Sequence, residues 1–140
     1  MVIAITKRVL NEMTSHAEET YPEECCGLLI ALGDKKVVET MRMKNSFSGP
    51  KHDRYNIDPL ELYKADRTVA QRGFYIAGIY HSHPDYPALL SKYDLEHSFP
   101  WYSYLIISVP KGKATDFKSW LPDDSRAGMN EERVEIAGGA

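Results

Sequence analysis

The sequence has few cysteines, no long apolar run and no excess of basic residues, and each shortage excludes a class of protein. Its two cysteines, Cys25 and Cys26, are adjacent, so they cannot build the disulfide framework of a small secreted domain. No segment approaches the roughly 18 consecutive apolar residues that a membrane-spanning helix needs. Lys and Arg number 17 against 20 Asp and Glu, which does not predict the basic surface of a general nucleic-acid-binding protein.

The same shortages predict a protein of a reducing compartment. The chain begins with only five apolar residues before Lys7, too few for the apolar region of a signal peptide, so we expect a cytoplasmic protein. Its 140 residues suit one domain, and they contain no repeat or linker that would divide them. We therefore predict a single domain over residues 1–140. The sequence leaves the oligomeric state open.

Hydrophobic periodicity predicts a mixture of strands and helices around a central sheet, in the α/β or α+β class. The expected strands are VIAI at an edge, CCGLLIAL and KVVETMRM as a hairpin, FYIAGIYH, YLIISV, TDFKSWL and ERVEI. Three segments predict helices, capped by Thr6, Asp58 and Ser91. FYIAGIYH is apolar on both faces, so we expect it at the centre of the sheet with both sides covered.

The end of that central strand carries a candidate metal site, in the segment HSHPDYPALLSKYD. Side chains alternate along a strand, so His81 and His83 point to the same side and can hold one metal ion. Asp94 is a candidate third ligand, and two nitrogens with one oxygen suit catalytic zinc. A bare His-x-His arises often by chance, and Ser91-x-x-Asp94 is also a helix-start pattern. A capped first turn and a metal ligand on that turn are compatible.

The general base of such a site is not determined by the spacing of residues alone. Glu23 and Glu24 both stand at the start of a predicted strand, where the residues alone favour an acidic pair exposed to solvent over a catalytic role. Cys25 and Cys26 alternate along that strand and cannot both face one metal, so we assign them to the core. A zinc deaminase is disfavoured because its second motif, PCxxC, is absent and His83 occupies the place of its glutamate.

Taken together, these motifs resemble those of the JAMM, or MPN-plus, zinc metalloproteases. The family pattern is Glu-x-x-Gly followed far downstream by His-Ser/Thr-His, seven residues, Ser, two residues and Asp, and every fixed position is present here. The resemblance covers most of positions 20–110. It implies the MPN fold, a curved mixed β-sheet flanked by helices. It also assigns roles: His81, His83 and Asp94 as ligands of Zn²⁺, Glu24 as the catalytic glutamate, and Ser91 as the residue that holds the reacting carbonyl oxygen.

The resemblance further implies hydrolysis of a peptide or isopeptide bond after the C-terminal glycines of a ubiquitin-like protein. Small bacterial members of the family cut sulfur-carrier proteins from an attached cysteine or a short C-terminal extension. The segments NSFSGPKHDR and PDYPALL are candidates to line a groove for the carrier's tail. A non-catalytic scaffold of the same fold and a metal-dependent hydrolase of a small molecule are the alternatives. We interpret the terminal Gly138-Gly139-Ala140 as a plain tail, although a glycine pair also resembles a carrier's processing site.

Overall fold

The computed structural model describes residues 1–123 and 128–137, so the terminal glycine pair lies outside the described residues. Within those ranges there are seven β-strands and three α-helices. The strands are β1 (Val2–Thr6), β2 (Cys26–Leu32), β3 (Lys36–Met43), β4 (Tyr75–Pro84), β5 (Ser103–Val109), β6 (Asp116–Pro122) and β7 (Met129–Ala137), and the helices are α1 (Lys7–Thr20), α2 (Pro59–Gln71) and α3 (Lys92–Glu96). None of the helices in these ranges has the length and apolarity to cross a bilayer.

The strands form one mixed sheet that closes on itself in the order β1-β3-β2-β4-β5-β6-β7. Strand β1 is parallel to β3 and β7, and β4 is parallel to β5, whereas the remaining pairs are antiparallel. The predicted curved mixed sheet with flanking helices is therefore confirmed, and its curvature is strong enough to make a closed barrel.

Barrel closure makes one sequence-based prediction wrong. The segment VIAI was expected at the edge of the sheet, but β1 lies between β3 and β7 and pairs with both. The C-terminal strand returns beside the N-terminal one, a contact between distant parts of the chain. Glu132 also fixes β7 to other parts of the barrel. Its buried carboxylate lies 2.7 Å from Lys35 Nζ, in the turn between β2 and β3, and accepts a hydrogen bond from Ser119 Oγ on β6 at 2.9 Å.

The two faces of the sheet pack against different helices. Helix α1 buries Val9, Met13 and Ala17 against one face, and α2 buries Ala65 and Val69 against the other. Strand β4 lies between β2 and β5 and is buried from its second residue onward. Its predicted central position, covered on both sides, is confirmed. The same position carries its last residues into the interior, where the candidate metal ligands are.

The helices begin where local capping signals predict. Thr6 accepts a hydrogen bond from the N–H of Val9 and starts α1, and Asp58 accepts one from the N–H of Glu61 and starts α2. Helix α2 ends before Gly73, which has a φ of +83° that a glycine adopts without strain. Helix α3 begins directly after its predicted cap, Ser91, and spans Lys92–Glu96.

The glycine of the Glu-x-x-Gly pattern has a packing explanation. Gly27 on β2 pairs with Tyr80 on β4, and the Tyr80 ring covers the position that a side chain at Gly27 would occupy. The ring is fully buried and its hydroxyl lies 2.7 Å from His16 Nδ1, so it has no room to move aside. A side chain at residue 27 would therefore push the Tyr80 ring and, through it, α1 away from the sheet.

We expect Gly27→Ala to lower the free energy of unfolding by about 1–3 kcal/mol, the usual cost of overpacking a core. Urea denaturation of the metal-free protein measures this change without a contribution from metal binding. In a Tyr80→Leu background the added methyl group should cost much less, because the ring it collides with is gone. An equal loss in both backgrounds would show that the clash with Tyr80 is not the cause.

Candidate active site

The two histidines of the predicted metal site lie at the end of β4, and their rings meet. His81 and His83 are both buried, and their Nε2 atoms lie 3.1 Å apart. Strand alternation places both rings on one side, as expected. The side chain between them, Ser82, points the other way and bonds to the backbone of Cys25.

Asp94 reaches the same point from the first turn of α3. Ser91 Oγ accepts a hydrogen bond from the Asp94 N–H at 3.0 Å, and Asp94 Oδ2 accepts one from the Ser91 N–H at 3.1 Å, which is a complete capping box. The same Oδ2 atom lies 3.2 Å from His81 Nε2 and 3.0 Å from His83 Nε2. Asp94 thus completes the capping box and also stands at the candidate ligand position, which the sequence allowed.

The nitrogen and oxygen lone pairs of this cluster are suited to bind a cation. His83 Nδ1 lies 2.9 Å from the carbonyl oxygen of Pro87, which can only accept, so Nδ1 carries the proton and Nε2 keeps its lone pair. In neutral His83, Nε2 and Asp94 Oδ2 are then two acceptors 3.0 Å apart. A cation between them turns this repulsive contact into a favourable one. Two further atoms, His81 Nδ1 and Asp94 Oδ1, are buried and have no hydrogen-bond partner within the described residues.

The spacing and charge state of the cluster are also those of a metal site. The three ligand atoms are separated by 3.0–3.2 Å, close to the roughly 3.3 Å between tetrahedral ligands placed at about 2.0–2.1 Å from zinc. Burial lowers the pKa of His81, which favours the neutral imidazole that binds metals. Burial works against ionisation of Asp94, but the two imidazoles beside it, His81 first and then His83, hold its pKa well below the usual range.

The structure gives different environments to the two glutamates that the spacing of residues alone could not distinguish. Glu23 is exposed, whereas Glu24 is 2% exposed. Glu24 lines the same cavity as His83 and Ser91. Burial, together with the negative charges of Asp94 and then Asp53, raises the pKa of Glu24 to about 9. Its Oε1 atom is buried and has no hydrogen-bond partner within the described residues.

The adjacent cysteines belong to the core. Both are buried, and burial raises the pKa of the Cys25 thiol to about 11 and that of Cys26 to about 12. Thiols with such pKa values stay protonated at neutral pH and are poor nucleophiles. The cluster of His81, His83 and Asp94 contains neither of them.

Three residues that the sequence analysis did not single out support the site. Ser82 ties the Glu24 segment to β4, because its Oγ accepts the Cys25 N–H at 2.8 Å and its own N–H donates to Cys25 O at 3.2 Å. Tyr55 stacks on the His81 ring with 4.4 Å between ring centroids. Asn45 donates a hydrogen bond to the Glu24 carbonyl. Of these three residues, only Ser82 belongs to a sequence motif of the site, because it is the middle residue of His-Ser-His.

Both segments predicted to form a groove line one cavity of about 410 Å³ beside the candidate ligands. The cavity is lined by Asp53 and Arg54 of the segment NSFSGPKHDR and by Tyr86, Pro87, Leu89 and Leu90 of the segment PDYPALL. Ser46, which also belongs to NSFSGPKHDR, is not among its lining residues. Tyr86 and Leu89 are 60% and 50% exposed, so the cavity opens to the surface along this wall. An open groove of this kind can admit an extended peptide.

Comparisons with known proteins identify the family. The family model for prokaryotic homologues of the JAB domain matches residues 6–123. A desampylase of Haloferax volcanii is 31% identical over 121 residues, which are 83% of this chain and 86% of that protein. A probable TtuB-protein conjugate cleaving protease of Thermus thermophilus is 32% identical over 109 residues, 78% of this chain and 72% of that protein.

Solved structures agree on the fold. A solution structure of a protein from Desulfitobacterium hafniense superposes with a TM-score of 0.82 at 30% identity, covering 99% of this chain and 94% of the other. A JAB1/MPN domain protein from Archaeoglobus fulgidus superposes with a TM-score of 0.61 at 17% identity and 96% coverage of both chains, which is a likeness of fold alone. The family resemblance of the motifs is thereby confirmed: the chain belongs to the prokaryotic homologues of the JAB domain.

Proposed function

We propose that the chain is a single-domain zinc metallopeptidase of the JAMM type. Its substrate is the peptide or isopeptide bond that follows the C-terminal glycines of a ubiquitin-like sulfur carrier. The observation that carries the proposal is the convergence of three buried candidate ligand atoms, His81 Nε2, His83 Nε2 and Asp94 Oδ2. One of these residues, His83, lines the same cavity as the buried Glu24. The names of the relatives, a desampylase and a conjugate-cleaving protease, support the substrate class.

The three proposed ligands suit catalytic zinc better than structural zinc. Catalytic sites commonly have three protein ligands and an open position, whereas structural sites have four, usually with cysteine. When bound, zinc supplies the Lewis acidity that makes water a nucleophile at neutral pH and polarises the scissile carbonyl. Pro87 contributes by fixing the His83 tautomer through its carbonyl oxygen, and the capping box holds the Asp94 carboxylate toward the imidazoles.

In this mechanism Glu24 moves the proton. Its carboxylate accepts a proton from the attacking water and later delivers it to the leaving amine, so one side chain serves as base and then as acid. Burial raises the pKa of Glu24 and favours the protonated form that delivers the proton to the amine, whereas the positive charge of a bound zinc ion would favour the carboxylate that first accepts it. The buried thiols of Cys25 and Cys26 take no part, since direct attack by water forms no covalent enzyme intermediate.

Ser91 stabilises the charge that develops on the substrate oxygen. Its hydroxyl oxygen accepts the Asp94 N–H, which orients the side chain and leaves the O–H free to donate. The residue is exposed at the cavity wall, where a substrate carbonyl can reach it. Donors placed at this position typically contribute about a hundredfold or more to the rate.

The carrier's tail is proposed to lie in the groove. Glycine residues let a peptide backbone approach a metal closely, because they have no side chain to collide with the walls. The exposed Tyr86 and Leu89 form one wall, and Asp53 and Arg54 form the other. The opening of the groove favours a peptide over a small molecule, which a closed pocket would suit better. With two unbridged cysteines, we also propose that the protein works in the reducing cytoplasm.

The test is cleavage of defined conjugates. The zinc-loaded protein is incubated with a panel of ubiquitin-like carriers, each attached through its terminal glycine to cysteine, a short peptide or a lysine side chain, and the products are read by mass spectrometry. We expect one carrier to be released at its terminal glycine, with no release after chelation. If every conjugate stays intact while zinc is bound, the peptidase proposal fails. Failure to bind zinc as well would instead favour the scaffold alternative.

A further inference from the structure

The backbone of Glu24 lies outside the sheet that fixes His81 and His83. Strand β2 begins at Cys26, and the backbone bond from the Ser82 N–H to the Cys25 carbonyl ties β4 to the residue directly after Glu24. The Glu24 N–H instead donates to the carbonyl of Lys51 at 2.6 Å, and the Glu24 carbonyl accepts a hydrogen bond from Asn45 Nδ2 at 3.1 Å. Both partners belong to residues 44–58, the connection between β3 and α2, which we call the bracket loop.

Asn45 uses the full hydrogen-bonding capacity of its amide. Its Nδ2 donates to the carbonyls of Glu24 and Arg54, the latter at 3.0 Å. Its Oδ1 accepts the N–H groups of Phe47 at 3.1 Å and Asn56 at 3.2 Å. Because Nδ2 faces two acceptors and Oδ1 faces two donors, only this orientation of the amide satisfies all four bonds. One side chain thus holds the bracket loop together and attaches it to Glu24.

The bracket loop has separate anchors on α3. Phe47 packs edge-on against the Tyr93 ring with 6.0 Å between centroids, and the Arg54 guanidinium lies 4.6 Å from the same ring. Tyr55 stacks on His81, as described above. These contacts involve neither donor hydrogen of Asn45. Removing those donors should therefore release the Glu24 carbonyl while the loop stays docked.

From these contacts we infer that Asn45 is a positioning residue for Glu24, acting through the glutamate's backbone carbonyl. The inference rests on the proposed function, which gives Glu24 the proton-transfer role. A group that transfers a proton in a transition state must be held within about 0.5 Å of its productive position. Asn45 supplies that constraint at the Glu24 carbonyl, beside the bond from the Glu24 N–H to Lys51. It belongs neither to the residues that line the cavity nor to the candidate ligands, so its loss should change turnover more than substrate binding.

Two substitutions test the inference in the zinc-loaded protein. Asn45→Asp keeps the shape and the Oδ1 acceptor but lacks the two donor hydrogens, and Asn45→Leu removes the polar atoms without adding charge. We expect both to lower kcat about 10- to 100-fold, in line with the effect of about 1 Å of misplacement, while KM changes less than threefold and zinc content is retained. The matched control is Ser46→Ala, which removes the 2.9 Å bond from Ser46 Oγ to the Asn56 carbonyl and leaves the Glu24 contacts intact.

A second measurement does not depend on catalysis. The ¹³C chemical shift of the Glu24 carbonyl, followed by NMR in the metal-free proteins, should change in both Asn45 variants and stay unchanged in Ser46→Ala, because Asn45 bonds that carbonyl. The inference is overturned if Ser46→Ala loses as much turnover as the Asn45 variants, if the loss appears in KM alone, or if only the charged Asp variant is slow. If the wild-type protein cleaves no conjugate, the proposed function fails, and an unchanged shift of the Glu24 carbonyl in both Asn45 variants would separately reject the positioning role.

Discussion

Replacing Glu24 by Gln should remove most of the turnover and leave the metal in place. The amide has nearly the same size as the carboxyl group but cannot accept a proton from water. Proton transfer by a placed side chain is worth about 10²–10⁴-fold, so we expect kcat to fall by at least that factor with zinc stoichiometry unchanged. Conjugate cleavage followed by mass spectrometry and metal analysis of the same sample provide the two measurements.

The fold should tolerate Glu24→Gln because burial raises the pKa of Glu24 to about 9. In the metal-free protein at pH 7 the group is already neutral, so a neutral amide replaces a neutral acid. The urea midpoint of the metal-free variant should therefore match that of the wild type. Glu23→Gln, an exposed neighbour, is the control and should cleave normally. Loss of zinc in Glu24→Gln would make Glu24 a ligand, and normal turnover would place the base elsewhere.

His83→Ala should abolish metal binding. The His83 ring is buried, is oriented by the Pro87 carbonyl, and supplies one of three ligand atoms. Two remaining ligands cannot hold zinc in the tetrahedral arrangement that it favours. We expect less than about a tenth of an equivalent of zinc after dialysis, no turnover, and no rise in melting temperature when zinc is added, because a ligand stabilises only the fold that binds it.

A histidine on the surface provides the control for this second experiment. His52 lies in the bracket loop with 65% of its side chain exposed and is not part of the metal-ligand cluster. His52→Ala should bind one equivalent of zinc and show the wild-type rise in melting temperature. Full zinc occupancy in His83→Ala would remove His83 from the ligand set and leave the proposed mechanism without its metal centre.

The sequence correctly predicted those features that depend on interactions between residues a few positions apart. The caps at Thr6 and Asp58 lie one residue before the helices they start, since a side-chain oxygen and the nearby N–H groups are close in the chain. The spacing of His81 and His83 predicted rings on one side, because alternation along a strand is a property of the backbone. In both cases the deciding interaction spans only a few residues.

The sequence could not reveal contacts between distant segments. The edge position expected for β1 was wrong because its partner β7 follows more than a hundred residues later, and strand pairing at that distance leaves no local pattern. Asn45 is likewise an ordinary loop asparagine until the structure brings its amide to Glu24, 21 residues earlier in the chain. The choice of Glu24 over Glu23 came from the family pattern, and burial supplies its physical basis.

The closing strand of the barrel has a consequence for how the chain is trimmed. The family match ends at residue 123, whereas β7 occupies Met129–Ala137 and joins β6 to β1. A fragment cut to the matched region, residues 6–123, would lose β7 and nearly all of β1 and would expose β3 and β6, whose unpaired backbone N–H and C=O groups promote aggregation. It would also leave the Lys35 ammonium without the carboxylate of Glu132. Truncated versions would therefore fail through insolubility even though every candidate catalytic residue is retained.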